Sequence, residues 1–323
     1  TGSLKKAKKL ILTAKKNGAD LVKLQTYEPR NMTINSSQKD FLIKDGLWKG
    51  YKLWDLYKAA QTPLKWQKEL FNYAKDLSID CISTPFDETA VDLLEDIGTK
   101  FYKIASFEVT DLPLIKYIAE KNKPIIISSG MANEQEIHDA LDVIKNEGVD
   151  DIVLLHCVSG YPTPIDQINL STIDLLKKTF DVEVGLSDHT LGNLSSLLAL
   201  AYGVKVIEKH YTLDRKDGGP DAAFSMEPKE LKSLSNDLKL GYLAKGKPSF
   251  DRKLVEEENV KFRRSLYVVD DIKKGEIFTN INIRRIRPGY GISPKFYEDV
   301  IGKKAMQDIE KGTPVSWEMI SKK

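Results

Sequence analysis

Seven short runs of β-branched and other apolar residues alternate with amphipathic segments along most of the chain. The runs are apolar at nearly every position, not at every second one, which is typical of parallel strands covered on both faces. This alternation predicts an α/β fold built on a parallel sheet. The predicted strands are Leu21 to Tyr27, Asp80 to Phe86, Phe101 to Ser106, Pro124 to Gly130, Ile152 to Ser159, Val182 to Thr190 and Val204 to Thr212.

Eight helices are predicted around these strands from capping residues at their starts and glycines after several ends. Because every helix but the first follows a strand, the pattern indicates a (β/α)₈ TIM barrel whose first strand is missing from this sequence. A seven-stranded barrel would expose unpaired edges, so we expect the native product to begin earlier or another segment to fill the gap. The helices begin near Ser3, Thr62, Asp87, Asp111, Asn133, Ser171, Asn193 and Pro228.

The periodic pattern breaks near Ala244, which predicts a second, smaller domain. We expect the barrel at residues 1–245, a linker at 246–260, and a compact, mostly β domain at 261–323. The segment Glu28 to Gln61 is too long for an ordinary connection within a barrel and is rich in aromatic residues, so we expect a lid over the barrel mouth.

Charge and composition limit the kinds of partner. The 49 Lys+Arg and 47 Asp+Glu residues leave a net charge of +2, which provides no overall field for nucleic acid or anionic membrane. The sequence shows no apolar run near the roughly 18 to 20 residues of a membrane span. Cys81 and Cys157 fall in predicted buried strands, as is typical of reduced thiols. We therefore expect a cytoplasmic protein with a metabolite-sized partner.

The polar residues at the strand ends carry the predicted chemistry, because reacting groups in barrels of this type lie at the carboxyl ends of the strands. Lysines with a ring of hydroxyls suit a phosphate dianion, which needs positive charge and directed donors. Each serine taken alone is better interpreted as a turn former, but their recurrence favours an anion site. These ends carry Lys23 and Gln25, Ser83 and Thr84, Lys103, Ser106 and Glu108, Ser128 and Ser129, Ser159 and Tyr161, Ser187 and His189, and Lys209 and His210.

Two of the four histidines, His189 and His210, end adjacent predicted strands and could share one metal ion. Asp221, on the next loop, is a further ligand or a water holder in this interpretation. Two imidazoles with open positions suit a divalent ion such as Mn²⁺ acting as a Lewis acid on a carbonyl. The alternative is that each histidine only makes hydrogen bonds, as we expect for His138 and His156.

Several segments together resemble the sialic acid synthase family, and the last sixty or so residues resemble that family's antifreeze-like (SAF) domain. Within the family, Asp87 to Asp92 and Gly219 to Ser225 are most similar to pseudaminic acid synthases. The segments that carry the resemblance are Val22 to Thr26, Ser83 to Asp87, Lys103 to Glu108, Ser129 to Ala132, Gly185 to Thr190 and Ile207 to His210.

The resemblance implies condensation of phosphoenolpyruvate with an acylated amino sugar, assisted by Mn²⁺, Mg²⁺ or Co²⁺ on His189 and His210. It also implies a domain-swapped homodimer in which Arg287 reaches the partner's site. The implied phosphoenolpyruvate ligands are Lys23, Thr84, Lys103, Ser106, Ser128, Ser159 and Ser187. The implied sugar ligands are Gln25, Tyr161, Asp221 and Arg287.

For a pseudaminic acid synthase the acceptor would be 2,4-diacetamido-2,4,6-trideoxy-L-altrose, whose methyl group favours an apolar wall that includes Phe224. Glu108, Lys103 and His210 are then the expected catalytic residues, with Glu108 stabilising positive charge at C2 or positioning water. The alternatives are synthesis of N-acetylneuraminic or legionaminic acid, and an inactive sugar-binding or scaffold protein.

Overall fold

The computed structural model describes residues 2–321. The chain divides into two compact units, with the boundary between Gly246 and Lys247. Across the described range, none of the helices combines the length and apolar character needed to cross a bilayer. The three-part division expected from the sequence, with a linker at 246–260, stays a prediction.

The larger unit contains seven parallel strands, and all seven predicted strands are confirmed. β1 and β2 form one ladder, and β3 to β7 form a five-stranded sheet in sequential order. This sequential parallel order is that of a TIM-type barrel, as predicted. The strands are β1 (Leu21–Thr26), β2 (Asp80–Pro85), β3 (Tyr102–Ile104), β4 (Ile125–Ser128), β5 (Ile152–Cys157), β6 (Glu183–Ser187) and β7 (Ile207–Glu208).

The strands curl into a barrel, as a side-chain contact between its first and last members demonstrates. A flat sheet of this size would separate β1 from β7 by roughly 29 Å at the usual strand spacing. Instead, Lys23 on β1 and Glu208 on β7 form an ion pair at 2.8 Å. Within residues 2–321 no strand pairs with β7 on its far side or with β1 on the edge opposite β2.

Helices cover the outside of the larger unit, and all eight predicted helices are present. Their starts follow local chemistry: the Asp87 carboxylate, for example, accepts a hydrogen bond from the Ala90 N–H at 3.0 Å. The α-helices of this unit are α1 (Leu4–Lys16), α2 (Pro29–Met32), α3 (Leu53–Ala60), α4 (Leu64–Asp76), α5 (Glu88–Ile97), α6 (Leu112–Ala119), α7 (Glu134–Asn146), α8 (Thr172–Phe180), α9 (Leu194–Ala199) and α10 (Pro228–Lys245). Short 3₁₀ helices lie at Lys39–Phe41, Ser106–Glu108, Ile165–Gln167, Arg215–Asp217 and Ala222–Phe224.

The core of the larger unit lies between the sheet and its helices. Inward faces of α5 to α8 pack on β3 to β6, and residues such as Ile115 and Ile125 are fully buried there. A second cluster joins α1 and α4 around Leu70. Because both faces of the sheet are covered, the strands need apolar residues on both faces, which explains their nearly continuous apolar runs.

The smaller unit is built around a two-stranded antiparallel ladder of β8 (Ser265–Val268) and β9 (Ile283–Ile286), as the sequence predicts. It also contains α11 (Leu254–Glu257), α12 (Tyr297–Val300) and 3₁₀ helices at Val260–Phe262, Pro294–Phe296 and Trp317–Met319. Its own core surrounds the fully buried Phe278.

Two similar turns in the smaller unit pair with each other. The Asp308 carboxylate accepts from the Lys274 N–H, and the Asp271 carboxylate accepts from the Lys311 N–H, both at 2.8 Å. Ile272 and Ile309 form a β-bridge between the turns. The repeated turn motif therefore forms a reciprocal pair in which each carboxylate caps the other turn.

Candidate active site

Lys103 lies on β3 in the barrel unit and is 1% exposed. Its Nζ donates to the Ser128 hydroxyl at 2.7 Å and to the Ile104 carbonyl at 2.6 Å. Burial lowers the pKa of this lysine to about 8, and Glu208 opposes that effect. Since an ammonium group has three donors, one remains for an anionic ligand among the described contacts.

Lys23 forms the other positive group of the cluster, and its partner Glu208 was not predicted from the sequence. Their side chains are 22% and 18% exposed, and Ser187 donates to the same carboxylate at 3.2 Å. Burial alone would raise the pKa of Glu208, but Lys23 and then Lys103 outweigh it and hold that pKa well below its usual range. The strand period could have identified Glu208, because it lies two residues before His210 and therefore on the same face.

Hydroxyl groups continue the polar surface around the two lysines. The Ser106 and Ser159 hydroxyls hydrogen-bond each other at 2.9 Å. Gly130 lies against both, and a Cβ there would come within 2.3 Å of the Ser106 Cβ, so only glycine leaves room for this arrangement. The Thr84 hydroxyl is buried and has no hydrogen-bond partner in the described structure. An unpaired buried hydroxyl is costly, which favours a ligand oxygen at this position.

Glu108 ends the 3₁₀ turn that follows β3, and its Oε2 is buried without a hydrogen-bond partner among residues 2–321. Burial raises the pKa of this carboxyl to about 7, despite the opposing charge of Lys103. A carboxyl with this pKa exchanges its proton near neutral pH, which is the property of a general acid or base.

His189 and His210 lie side by side, with ring centroids 5.2 Å apart. His189 Nδ1 hydrogen-bonds the Val158 carbonyl at 3.0 Å, and His210 Nδ1 lies 3.4 Å from the Asp221 carboxylate. In both rings, Nε2 is therefore the nitrogen left for another ligand. Burial, and then His210, lower the pKa of His189 to about 4, so its imidazole is neutral at physiological pH. Neutral imidazole is the form that binds metals.

The histidine pair fits a divalent metal ion. An imidazole nitrogen lies about 2.1 Å from such an ion, so two neighbouring rings at this separation are close enough to share one. Between residues 2 and 321, no cluster of three or more His, Cys, Asp or Glu side chains has a metal-binding arrangement. The protein thus offers two nitrogen ligands, and oxygen atoms of water or substrate would complete the coordination. Such a donor set suits a borderline ion with open positions.

Aromatic side chains surround the histidines. Tyr161 lies 4.6 Å from His189 and 5.3 Å from the buried Phe224, measured between ring centroids. Trp48, from the predicted lid segment, packs on Tyr161 at 5.7 Å and donates its indole N–H to the Pro220 carbonyl at 2.9 Å. The segment between β1 and α4 therefore reaches the site, which supports its interpretation as a lid.

The structure separates the predicted polar strand ends into two groups. Most of the predicted ligands, including Gln25 beside Thr84 in the β1–β2 register, occur on the inner strand ends and adjoining loops. Ser83 instead bonds Thr26, and Lys209 instead pairs with the buried Asp188 at 2.9 Å. Arg287 follows β9 in the smaller unit and is exposed.

Comparisons with known proteins agree with this geometry. A pseudaminic acid synthase of Campylobacter jejuni is 44% identical over 313 residues, covering 96% of this chain and 91% of the relative. An N,N'-diacetyllegionaminic acid synthase of the same species is 42% identical over 311 residues, with 95% and 93% coverage. The crystal structure of a Leptospira borgpetersenii N-acetylneuraminic acid synthetase superimposes with a TM-score of 0.72 at 31% identity, covering 81% of this chain and 87% of that one.

Two family models match the chain, one over the larger unit and one over the smaller unit. The SAF domain matches residues 263–321, which include the β8–β9 ladder and the paired turns. The other match covers residues 10–249, which contain all seven barrel strands and the cluster of lysines, hydroxyls and histidines. This chain belongs to the NeuB family and carries a SAF domain at its carboxyl end.

Proposed function

We propose that this protein condenses phosphoenolpyruvate with 2,4-diacetamido-2,4,6-trideoxy-L-altrose and water, giving pseudaminic acid and phosphate. The main support is that the adjacent His189 and His210 imidazoles and the Lys23–Lys103 hydroxyl cluster occur in one barrel. The identity to the Campylobacter pseudaminic acid synthase supports the choice of sugar. The histidine pair would hold a divalent ion, expected to be Mn²⁺, which supplies Lewis-acid polarisation of the sugar aldehyde when bound.

The basic and hydroxyl groups bind phosphoenolpyruvate in this proposal. Lys103 and Lys23 attract its phosphate and carboxylate, while Thr84, Ser106, Ser128, Ser159 and Ser187 supply directed hydrogen-bond donors. Glu208 neutralises Lys23 before the substrate arrives, so the cluster carries less unbalanced charge than two free lysines would. When C3 of the enol ester attacks the aldehyde, the same lysines stabilise the phosphate that later departs.

Glu108 is the acid–base group of the proposed reaction. Attack through C3 leaves positive charge on C2, and the ionised carboxylate stabilises that charge and takes a proton from the water that adds there. Collapse of the resulting tetrahedral centre breaks the C–O bond and releases phosphate. The Glu108 carboxyl, with a pKa of about 7, can accept this proton and return it to the alkoxide formed from the sugar aldehyde, while the proton of the C2 hydroxyl leaves with the phosphate.

The aromatic surface forms the sugar site in this proposal. Tyr161, Phe224 and Trp48 provide an apolar wall for the C6 methyl and an acetamido methyl, and Gln25 and Asp221 provide polar contacts. Legionaminic acid synthesis is the second candidate, because an N,N'-diacetyllegionaminic acid synthase is almost equally similar to this chain.

The test measures phosphate release from phosphoenolpyruvate with Mn²⁺ and each candidate amino sugar, with and without a chelator. Turnover with the altrose derivative alone supports the proposal, and turnover with another acceptor assigns the alternative synthase activity. His210→Ala should abolish metal-dependent turnover, whereas His138→Ala, at a histidine of α7 that packs on Phe180 of α8, should retain it. Binding of a sugar without phosphate release under any condition would favour the inactive sugar-binding protein.

We also propose that the protein forms a domain-swapped homodimer in which Arg287 contacts sugar bound to the partner subunit. Its exposure and the SAF match around it support this assignment. Arg287→Ala should raise the sugar KM without changing the mass measured by light scattering. Full activity of the full-length protein in a form that light scattering shows to be monomeric would contradict the proposal.

A further inference from the structure

The two metal-binding histidines of the proposed function each follow a buried charged residue. β6 and β7 pair in parallel register, with Ser187 opposite Glu208, and the next N–H, of Asp188, bonds the Glu208 carbonyl at 2.9 Å. Continuing this register places Asp188 beside Lys209 and His189 beside His210. Because successive strand residues point to opposite faces, the imidazoles face inward while the charged pair faces the helices.

The outward pair is enclosed in a complete hydrogen-bond network. Asp188 and Lys209 meet at 2.9 Å, and their side chains are 0% and 6% exposed. Asp188 also accepts from the Thr190 N–H at 2.9 Å, the Thr190 hydroxyl at 2.7 Å and the Ser196 hydroxyl at 2.6 Å. Lys209 donates further to the carbonyls of Thr190 and Gly192 at 2.9 and 3.1 Å. All three ammonium donors are therefore used within the protein, so this pair does not bind a ligand itself.

Stability alone is a weak reason for such a pair. Two buried charges lose their hydration, and their mutual attraction offsets that loss only when the geometry is good. Proteins in which apolar residues replace such a pair are therefore often equally stable. What an ion pair with fixed hydrogen bonds adds is a defined distance between two points of the backbone. Here those points are the residues directly before His189 and His210, and metal coordination requires ligand positions within about 0.2 Å.

We propose that Asp188 and Lys209 are positioning residues that hold the two strand ends together, so that His189 and His210 lie at the separation one metal ion requires. This inference rests on the metal site of the proposed function. The pair acts through the backbone, whereas the Val158 carbonyl orients the His189 ring directly. Together they fix both the position and the rotation of that imidazole, as the groups behind a metal ligand usually do.

The test titrates the full-length protein with Mn²⁺ and follows free Mn²⁺ by electron paramagnetic resonance. Asp188→Asn, Lys209→Met and the double variant, which removes both charges together, should each raise the Mn²⁺ Kd by roughly 10- to 100-fold. Lys123→Met is the matched control, since it breaks a 2.6 Å ion pair with Glu95 on the outside of the same unit. Its Kd should match that of the wild type.

Melting curves recorded with the titrations separate positioning from folding. The double variant leaves no unpaired charge, so it keeps the inference testable if either single variant fails to fold. A folded double variant with the wild-type Kd would overturn the positioning role of Asp188 and Lys209 and leave the metal site of the proposed function intact. Absence of Mn²⁺, Co²⁺ and Mg²⁺ binding by the wild type would overturn the metal site of the proposed function, and with it the positioning role of Asp188 and Lys209.

Discussion

Replacing Glu108 by glutamine should make the protein more stable at pH 8 and leave it unchanged near pH 4.5. Burial raises the pKa of the folded-state carboxyl from 4.5 to about 7. Below pH 4.5 the carboxyl is protonated in both the folded and unfolded states. As the pH rises through 7, the folded protein must ionise a buried group, and the stability that protonation gave is lost.

A shift of this size corresponds to about 3.5 kcal/mol of unfolding free energy at most, since each pKa unit is worth about 1.4 kcal/mol. For a unit of this length, that free energy corresponds to a Tm difference of at most roughly 7 to 14 °C. Glutamine resembles the protonated acid and does not ionise. The Tm difference between Glu108→Gln and the wild type should therefore grow from near zero at pH 4.5 to its full value at pH 8.

Scanning calorimetry without substrates measures this difference at several pH values. Because every other titrating group is shared, subtracting the two curves leaves the contribution of Glu108 and of its charge interaction with Lys103. Glu120→Gln makes the same chemical change at the exposed end of α6 and is the matched control for this substitution. If the Glu108→Gln difference does not exceed that of the control at pH 8, or if the variant is the less stable protein at pH 8, the carboxyl is not the neutral-pH acid–base group described above.

Two further predictions concern ligand binding. Burial lowers the pKa of Lys103 to about 8, so Lys103→Met removes an unfavourably buried charge and the ligand-free protein should melt at a higher temperature at pH 7. The affinity for phosphoenolpyruvate, measured by calorimetric titration, should fall roughly 10- to 100-fold. Equal affinity would exclude Lys103 as an anion ligand. Trp48→Phe removes the hydrogen bond to Pro220 and should raise the sugar KM more than the phosphoenolpyruvate KM in steady-state assays; an equal rise in both would argue against a sugar-side lid.

Local sequence patterns predicted most of the fold, because each barrel strand and helix is specified by nearby residues. The runs around Ile125 to Ser128 and Ile152 to Cys157 are apolar at nearly every position, and the capping residues Asp87 and Asn133 start their helices through local bonds. The carboxyl ends of parallel strands meet at one edge, so the list of polar strand ends contained most of the site. Ser83 and Lys209, also on that list, bond Thr26 and Asp188 instead.

Contacts between distant parts of the chain could not be predicted in this way. Trp48 bonds a carbonyl 172 residues away, and nothing in the sequence near Trp48 specifies Pro220 as its partner. The ion pair of Lys23 with Glu208 likewise depends on how far the sheet curls. Alternation within Ile207 to His210, applied strictly, does assign Glu208 to the inner face and Lys209 to the outer one.

The parallel register of β6 and β7 explains how so few residues combine three tasks. Three successive pairs of residues lie opposite each other along these two strand ends. The first pair, Ser187 and Glu208, faces Lys23. The second pair, Asp188 with Lys209, lies on the outer face, and the third pair, His189 with His210, lies on the inner face; we call these pairs the three levels. The anion cluster and the metal pair are thus one strand repeat apart, about 6.6 Å along the strands.

A one-residue slip of either strand would exchange its faces, turning a histidine into the core and a buried charge toward the substrate. The loops that follow Gly192 and Thr212 lie beyond the three levels, so an insertion there leaves the strand register unchanged. Single-residue insertions should therefore abolish metal binding when placed before His189 or His210 within the strands, and should be far better tolerated in those loops.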